Sequence, residues 1–154
     1  RQPFLTATRG NGIFHGVFDT YKPVVGEIET REFGSLVASD TGTARAYGLT
    51  NLKQRGTFFI PPGTEVYSGQ VVGQHIRDGD LTINVCRQKV GTGHRAKPTG
   101  EDEQLPPHRV MSLDDCLEYL HRDELLEVTP SQLRIRKKEL LHHVREKAAK
   151  KNKK

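Results

Sequence analysis

Tryptophan is absent from the chain, methionine occurs once, and 154 residues hold only two cysteines. Cys86 and Cys116 stand far apart and form no CxxC pair, so no zinc ribbon or dithiol redox motif is encoded. Two reduced thiols in a reducing compartment are the expectation. No run of about 18 apolar residues occurs, which excludes a membrane-spanning helix, and no basic-then-apolar leader is expected. An initiator methionine is missing too: Arg1-Gln2-Pro3 reads as the start of a piece of a longer polypeptide. Catalytic signatures are equally scarce. There is no GxSxG, no HExxH, no Cys/His cluster with zinc spacing and no phosphate-binding GxxxxGK[ST], so neither a catalytic nor a metal-ligating set is expected. Hydrophobic residues make up only 34%, and mean hydropathy is -0.64. One sheet-rich domain with long polar loops, plus a piece of another, fits that length and composition.

What is present is charge, and it is unevenly placed. Residues 134–154 carry ten basic side chains and two acidic ones, a net of +8. The other 133 residues carry 14 basic and 17 acidic groups, a net of −3. A basic end on a mildly acidic body points to a polyanionic partner, nucleic acid or an anionic membrane. A solvated tail that contacts nothing is the competing reading of the last lysines.

Along the chain, residues 11–18 (NGIFHGVF) read as a short strand that Tyr21-Lys22-Pro23 ends. Ser35–Ser39 and Ala44–Gly48 flank the turn signal Asp40-Thr41-Gly42, which predicts a hairpin. Leu49–Arg55 suits one helical turn, and Phe58-Phe59-Ile60 a brief strand stopped by Pro61-Pro62-Gly63. Residues 73–84, GQHIRDGDLTIN, concentrate polar groups around Asp78-Gly79, a two-residue hairpin signal. Closing that hairpin sets Ile76 opposite Leu81, His75 opposite Thr82 and Gln74 opposite Ile83. Val72, Ile76, Leu81, Ile83 and Val85 then share one face with Gln74. His75, Arg77, Asp80, Thr82 and Asn84 share the other, with Arg77 and Asp80 paired across the turn. A calcium loop fails, because the twelfth position from Asp78 is Lys89 and not Glu.

Residues 86–107 (CRQKVGTGHRAKPTGEDEQLPP) hold three glycines, three prolines and five cations counting His94. A connection of that length is a functional loop or a plain mobile one. Its Gly-Thr-Gly-His-Arg-Ala-Lys centre could follow a phosphate backbone, with Arg95 and Lys97 supplying charge. Helices come late. Ser112 with Asp115 three residues on forms a capping-box start, and Leu113, Cys116, Leu117 and Leu120 make one apolar stripe. Asp114 and Asp115 are explained by that first turn, where the helix dipole favours anions. Leu125–Val128 and Leu133–Arg136 read as strands, the second with arginines outward. Leu140, Leu141, Val144 and Ala148 give a surface helix, on which His142 and His143 point to different faces.

Three stretches carry a resemblance: TRGNGIFHGVFDTYKP (8–23), AYGLTNLKQRGTFFIPPGTEVYSGQVVGQHIRDGDLTIN (46–84) and MSLDDCLEYLHRDELLEVTPSQLRIRKKEL (111–140). Together, in this order, the chain resembles the C-terminal part of the TypA/BipA family of ribosome-associated translational GTPases, relatives of elongation factor G. The resemblance implies an α+β fold. Residues 1–25 would be the last elements of a ferredoxin-like domain, and 26–147 a mainly antiparallel β domain particular to the family, with late helices. Residues 148–154 are expected to be a basic disordered tail. GTP and Mg would belong to an upstream domain, so no cofactor and no enzymatic activity are expected of this stretch, although the full-length family hydrolyses GTP. The implied partners are the ribosome, rRNA and A-site tRNA, in support of translation or ribosome assembly under stress. No membrane partner is implied, the state is monomeric, and the setting is cytoplasmic with a plastid as the alternative. Within this frame Asn84, Lys89, His94, Arg95 and Lys97 are the expected RNA contacts of the loop. Arg134, Arg136, Lys137 and Lys138 would form a second basic surface. The loop reads KVGTGHRAKPTGEDE and is slightly longer than the family's usual pattern. The competing reading, from another class, is a module that binds protein or stabilises the GTPase without touching RNA.

Overall fold

The computed structural model describes residues 2–24, 26, 31–88 and 107–152. Strand β1 (Ser35–Ala38) is apolar at three of its four positions and buried along its whole length. A strand buried on both faces needs neighbours on both sides and layers above and below, and it has them. A four-stranded sheet runs in the order β3 (Gly56–Phe58), β5 (Val71–His75), β1, β6 (Leu81–Ile83). β5 is antiparallel to both β1 and β3, whereas β1 and β6 are parallel. A bulge between Leu36 and Val37 shifts the β1–β5 register, so Leu36 faces Gly73 while Val37 faces Val71.

That sheet separates two apolar clusters. On one side Leu36, Ala38, Val72, Ile83 and Val85 pack with Leu49 of helix α2 (Ala46–Leu52), and with Val66 of the small pair β2 (Gly42–Thr43) and β4 (Glu65–Val66). On the other side Val37 and Val71 meet Cys116 and Tyr119 of α3 (Leu113–Tyr119) and Ile135. Ile135 belongs to a second antiparallel pair, β7 (Glu124–Val128) and β8 (Leu133–Lys137). Each of these aliphatic side chains contributes roughly 1.5–3 kcal/mol through burial.

Two glycines permit close approaches. A Cβ on Gly48 would sit 2.5 Å from the Val85 carbonyl oxygen, so glycine lets α2 press against the exit of β6. Gly69 has φ +89, and a Cβ there would lie 2.7 Å from Leu140 Cα. Its carbonyl accepts from Lys137 N at 2.9 Å while its N–H donates to Ala38 O at 2.9 Å, tying β8 to β1. Helix α3 starts where its capping box places it. Ser112 Oγ accepts from Asp115 N at 3.1 Å, and Asp115 Oδ2 accepts from Ser112 N at 3.1 Å. The Ser112 hydroxyl, which donates to Asp115 Oδ2 at 2.6 Å, and the Ser112 N–H hold the Asp115 carboxyl below the usual carboxylate range.

The α+β class with mostly antiparallel strands agrees with the sequence reading, but several local expectations do not hold. The hairpin across Asp78-Gly79 does not form: β1 lies between β5 and β6. Asp78 lacks the positive φ that a type I′ turn requires, and only Gly79 of the two adopts it. The sorting of faces fails with the pairing, since His75 is buried and Ile76 exposed. Asp80 turns to Ser35 N, at 2.8 Å, and to Lys137, in place of Arg77. β2 pairs with β4 rather than with β1, and Ala46–Gly48 are helical. In the α3 stripe Cys116 is buried, Leu120 half-buried, and Leu113 and Leu117 exposed. Residues 11–18 form no strand: Ile13, Phe14, Val17 and Phe18 are exposed, without a pairing partner among the described residues. Helix α1 (Gln2–Ala7) precedes them, and Phe4 and Phe14 pack ring on ring at 5.9 Å. At the other end α4 (His142–Asn152) stays helical through residues expected to form a tail.

Candidate RNA-docking surface

Asn84 is the first of the expected contacts; it is exposed, and it also has a task within the fold. Its Nδ2 donates to Asp40 Oδ2 at 2.6 Å and its Oδ1 accepts from Cys86 N at 2.9 Å. Each end of the amide thus makes one bond that shapes the turn by which the chain leaves β6. One residue on, Val85 O accepts from Arg45 N at 2.9 Å. The returning chain is fixed as well, with Arg109 N donating to Phe58 O at 2.8 Å. Lys89, His94, Arg95 and Lys97 lie between these anchors and outside the described residues.

The β8 cations divide by strand periodicity. Leu133, Ile135 and Lys137 point inward, while Arg134 and Arg136 alternate with them and stay half-buried. Arg134 rests on its neighbour: Nε and Nη2 donate to Gln132 Oε1 at 2.9 and 2.5 Å. Arg136 Nε lies 2.7 Å from Glu127 Oε1. It is off the N–H line, so this is a charge contact rather than a hydrogen bond. Glu127 Oε2 accepts from Tyr67 OH at 2.7 Å. Burial, together with that bond to a carboxylate, raises the Tyr67 phenol above its ordinary value. Lys138 is exposed.

Lys137 is 1% exposed and does not belong to a surface. Its ammonium meets Asp80, Asp123 at 2.8 Å and Glu124 at 3.0 Å. Glu124 Oε1 also accepts from Arg31 Nη2 at 2.7 Å and from Ser35 Oγ at 2.8 Å. The Arg31 guanidinium stacks 4.1 Å from the centre of the Tyr119 ring. Burial alone would pull the Lys137 ammonium down, but hydrogen bonds to Asp123 and Asp80 and the charge of Glu124 outweigh it and hold it above the usual lysine value. Burial would likewise raise Glu124, yet the bond from Arg31 and the Lys137 charge keep it low. An ammonium with three carboxylates on it has no charge to offer a phosphate. Period-2 counting along Leu133–Lys137 already puts Lys137 on the Leu133 and Ile135 side, and that was the signal for leaving it out of the basic surface.

A set of cations not singled out from sequence lies on α4. Lys147, Lys150 and Lys151 are exposed at i, i+3 and i+4, one stripe of one helix. Reading residues 148–154 as a tail dissolved that spacing. Lys150 and Lys151 also sit in the last turn, where the helix dipole favours cations. Arg145 is turned back to the Glu139 and Leu140 carbonyls, at 2.9 and 2.6 Å. At the other end of α4, His142 Nδ1 lies 3.1 Å from Thr82 Oγ1.

GTP with Mg, which the resemblance implies for the longer protein, does not fit this chain. The GxxxxGK[ST] loop that cradles nucleotide phosphates does not occur in the sequence, and no group of three or more His, Cys, Asp or Glu could hold a metal among the described residues. No helix among them is long and apolar enough to cross a membrane.

Comparison with known proteins is decisive for the family. Residues 33–142 match the model of the TypA/BipA C-terminal domain. Over 151 residues the chain is 46% identical to the large ribosomal subunit assembly factor BipA of Bacillus subtilis, covering 97% of this chain and 25% of that protein. Over 135 residues it is 46% identical to the putative elongation factor TypA-like SVR3, chloroplastic, of Arabidopsis thaliana, covering 88% of this chain and 20% of the relative. The BipA of Salmonella typhimurium is 41% identical over 149 residues, 96% of this chain and 24% of that protein. The chain thus spans about a quarter of the length of such relatives.

Proposed function

The chain belongs to the TypA/BipA family, and from that premise we propose that it is the part of a translational GTPase that docks on the ribosome. It holds rRNA and A-site tRNA through cations carried on a β scaffold, in support of translation or ribosome assembly under stress. The name large ribosomal subunit assembly factor, borne by relatives in Bacillus and Salmonella, supports a ribosomal partner. The observation that carries the RNA reading is the charge that stays outside once Lys137 is removed from the set. Lys138, Lys147, Lys150 and Lys151 are exposed, and Arg134 and Arg136 are half-exposed, within a segment of net +8. Lys89, His94, Arg95 and Lys97 of the anchored loop complete the surface, and Asn84 serves it by fixing the loop's root. Neutralising phosphates releases counterions, so affinity falls steeply with salt. Folded RNA is read here by shape, backbone and 2′-hydroxyls.

The GTP-hydrolysing activity of the full-length family belongs to other parts of the polypeptide, and this region acts as a monomeric contact surface in the cytoplasm or a plastid. Replacing Arg95 and Lys97 with Ala should weaken binding to ribosomes and lower the salt slope, by about one unit for each phosphate contact removed. Sedimentation of the chain with ribosomes across a salt series measures both. Unchanged affinity and slope would end the loop assignment.

One observation favours the alternative of a protein-binding or stabilising module. Arg134 and Arg136 are already engaged, by Gln132 and by Glu127. Under that reading the β8 arginines are structural, and Arg134→Gln would leave the salt slope untouched.

A further inference from the structure

Between β8 and the segment that follows the loop lies a groove of about 390 Å³. That volume is within the range of small-ligand pockets, roughly 300–1,000 Å³. Phe59, Met111 and Leu133 line it as apolar walls, with Val110, Gln132 and Arg134 also among its lining residues. No Asp or Glu lines it, in a chain that carries 19 of them. Arg134 also lines a neighbouring groove beside Thr43 and Tyr67, so it borders both. Both oxygen contacts of Arg134 go to Gln132 Oε1, which leaves the Gln132 amide nitrogen free of that bond.

We propose that this groove takes a single unpaired nucleobase of an RNA strand, with the adjoining phosphate held by Arg134. Three features of the site select that occupant. Its walls are mostly apolar and include an aromatic ring, the surface on which an unstacked base gains most, while Thr64, Gln70, His108 and Gln132 add polar edges. Its one formal charge is an arginine, which suits a phosphate. And it lies between residues 108–111, directly after the cationic loop, and Gln132–Ile135, directly before Arg136 and Lys138. The proposal rests on the RNA-docking reading and adds a base-dependent element to it, where phosphate contacts alone are indifferent to the base.

The test compares two short hairpin RNAs, one with a single bulged adenosine and the other abasic at that position, binding to the full 154-residue chain. Stacking and burial of the base should make the first RNA bind about tenfold tighter, at equal salt slopes. Val110 is 78% exposed and lines the groove, so Val110→Trp fills the site with little risk to folding. That variant should bind both RNAs as weakly as the wild type binds the abasic one. Equal affinity of the wild type for the two RNAs overturns the groove proposal; a persisting salt slope in that case leaves the docking reading intact. Failure to bind either RNA sinks both. A groove made for a protein segment would show a third pattern, in which Val110→Trp weakens binding to intact ribosomal subunits while the two RNAs bind alike. That result also overturns the proposal.

Discussion

Lys137 and Lys138 are neighbours in sequence and opposites in circumstance. The first is sealed under Asp80, Asp123 and Glu124, and the second is in water. The same contrast holds for the two sides of the β7–β8 pair. Its closed side joins Lys137 to the tip at Asp80 and, through Glu124, to Ser35 at the start of β1, which stitches the pair onto the main sheet. Its open side carries Arg134 and Arg136, half-exposed, while Lys138 and the α4 stripe follow along the chain in water. Cationic residues of one short segment thus do two unrelated jobs, and total charge cannot distinguish them. Exposure can: a charge already neutralised inside the fold contributes to stability and nothing to a polyanion.

The largest expected effect comes from breaking the closed side. Lys137→Ala leaves three carboxylates without their ammonium and should cost about 3–5 kcal/mol of stability, the usual consequence of removing one partner of a buried ion pair. Denaturant unfolding measures it, and a loss below about 1 kcal/mol would mean that water reaches the cluster and the contrast is false. pH sharpens the same point. Asp123 and Glu124 have lowered values in the fold, so their contribution is present above their unfolded values of about 3.9 and 4.3 and is lost as pH falls through the folded ones. Lys137 is raised, so its contribution is complete below about 10.4 and is lost as pH rises through the folded value. These three groups therefore add no pH dependence between about pH 5 and 10, whereas the Cys86 and Cys116 thiols, raised by burial, cost stability once pH passes the ordinary thiol value of about 8.5. In Lys137→Met the lysine's hold on both carboxylates disappears, their folded values rise toward the unfolded ones, and the stability lost in acid should shrink. An acid loss that does not shrink would show that Arg31 and His121 suffice to keep them low.

A smaller effect separates helix packing from charge. Ser112→Ala removes the cap of α3 and should cost about 1 kcal/mol, loosening Cys116 and Tyr119 against Val37 without altering any cation. The salt slope of RNA binding should be unchanged even as the melting temperature falls.

How much of this was legible beforehand follows from the range of each signal. The capping box at Ser112 and Asp115, the α3 start, and strands β7 and β8 depend on residues within a few positions of one another, and sequence reads them well. The Asp78-Gly79 hairpin failed because pairing is a contest between strands. β1 offers Leu36, Val37 and Ala38, apolar on both faces, and takes the place between β5 and β6 that a local turn signal had assigned to neither. Residues 11–18 had a strand's composition and no ladder to join. Lys137 was the costliest misreading among the site residues. Its carboxylate partners lie 13, 14 and 57 positions away, and only the alternation through Leu133 and Ile135 hinted that it faced inward. The stripe on α4 was hidden by the opposite error, a helix taken for a tail.

The smallest expected effect is on the open side, and it is the most discriminating. Lys138→Ala, or the pair Lys150→Ala and Lys151→Ala, should change stability by no more than about 0.5 kcal/mol, because none of these side chains is buried. Each lysine that touches a phosphate should lower the slope of log affinity against log salt by about one. Lys137→Met should behave in the reverse way, moving stability while leaving the slope alone, measured well below its melting temperature. If Lys138 and Lys137 variants alter the slope equally, the ammonium at position 137 is reached by solvent and ions, and the division of β8 into a closed and an open side fails. If neither alters it, the RNA contacts lie elsewhere, in Lys89, Arg95 and Lys97 or along α4, and the double lysine variant on α4 decides between those two.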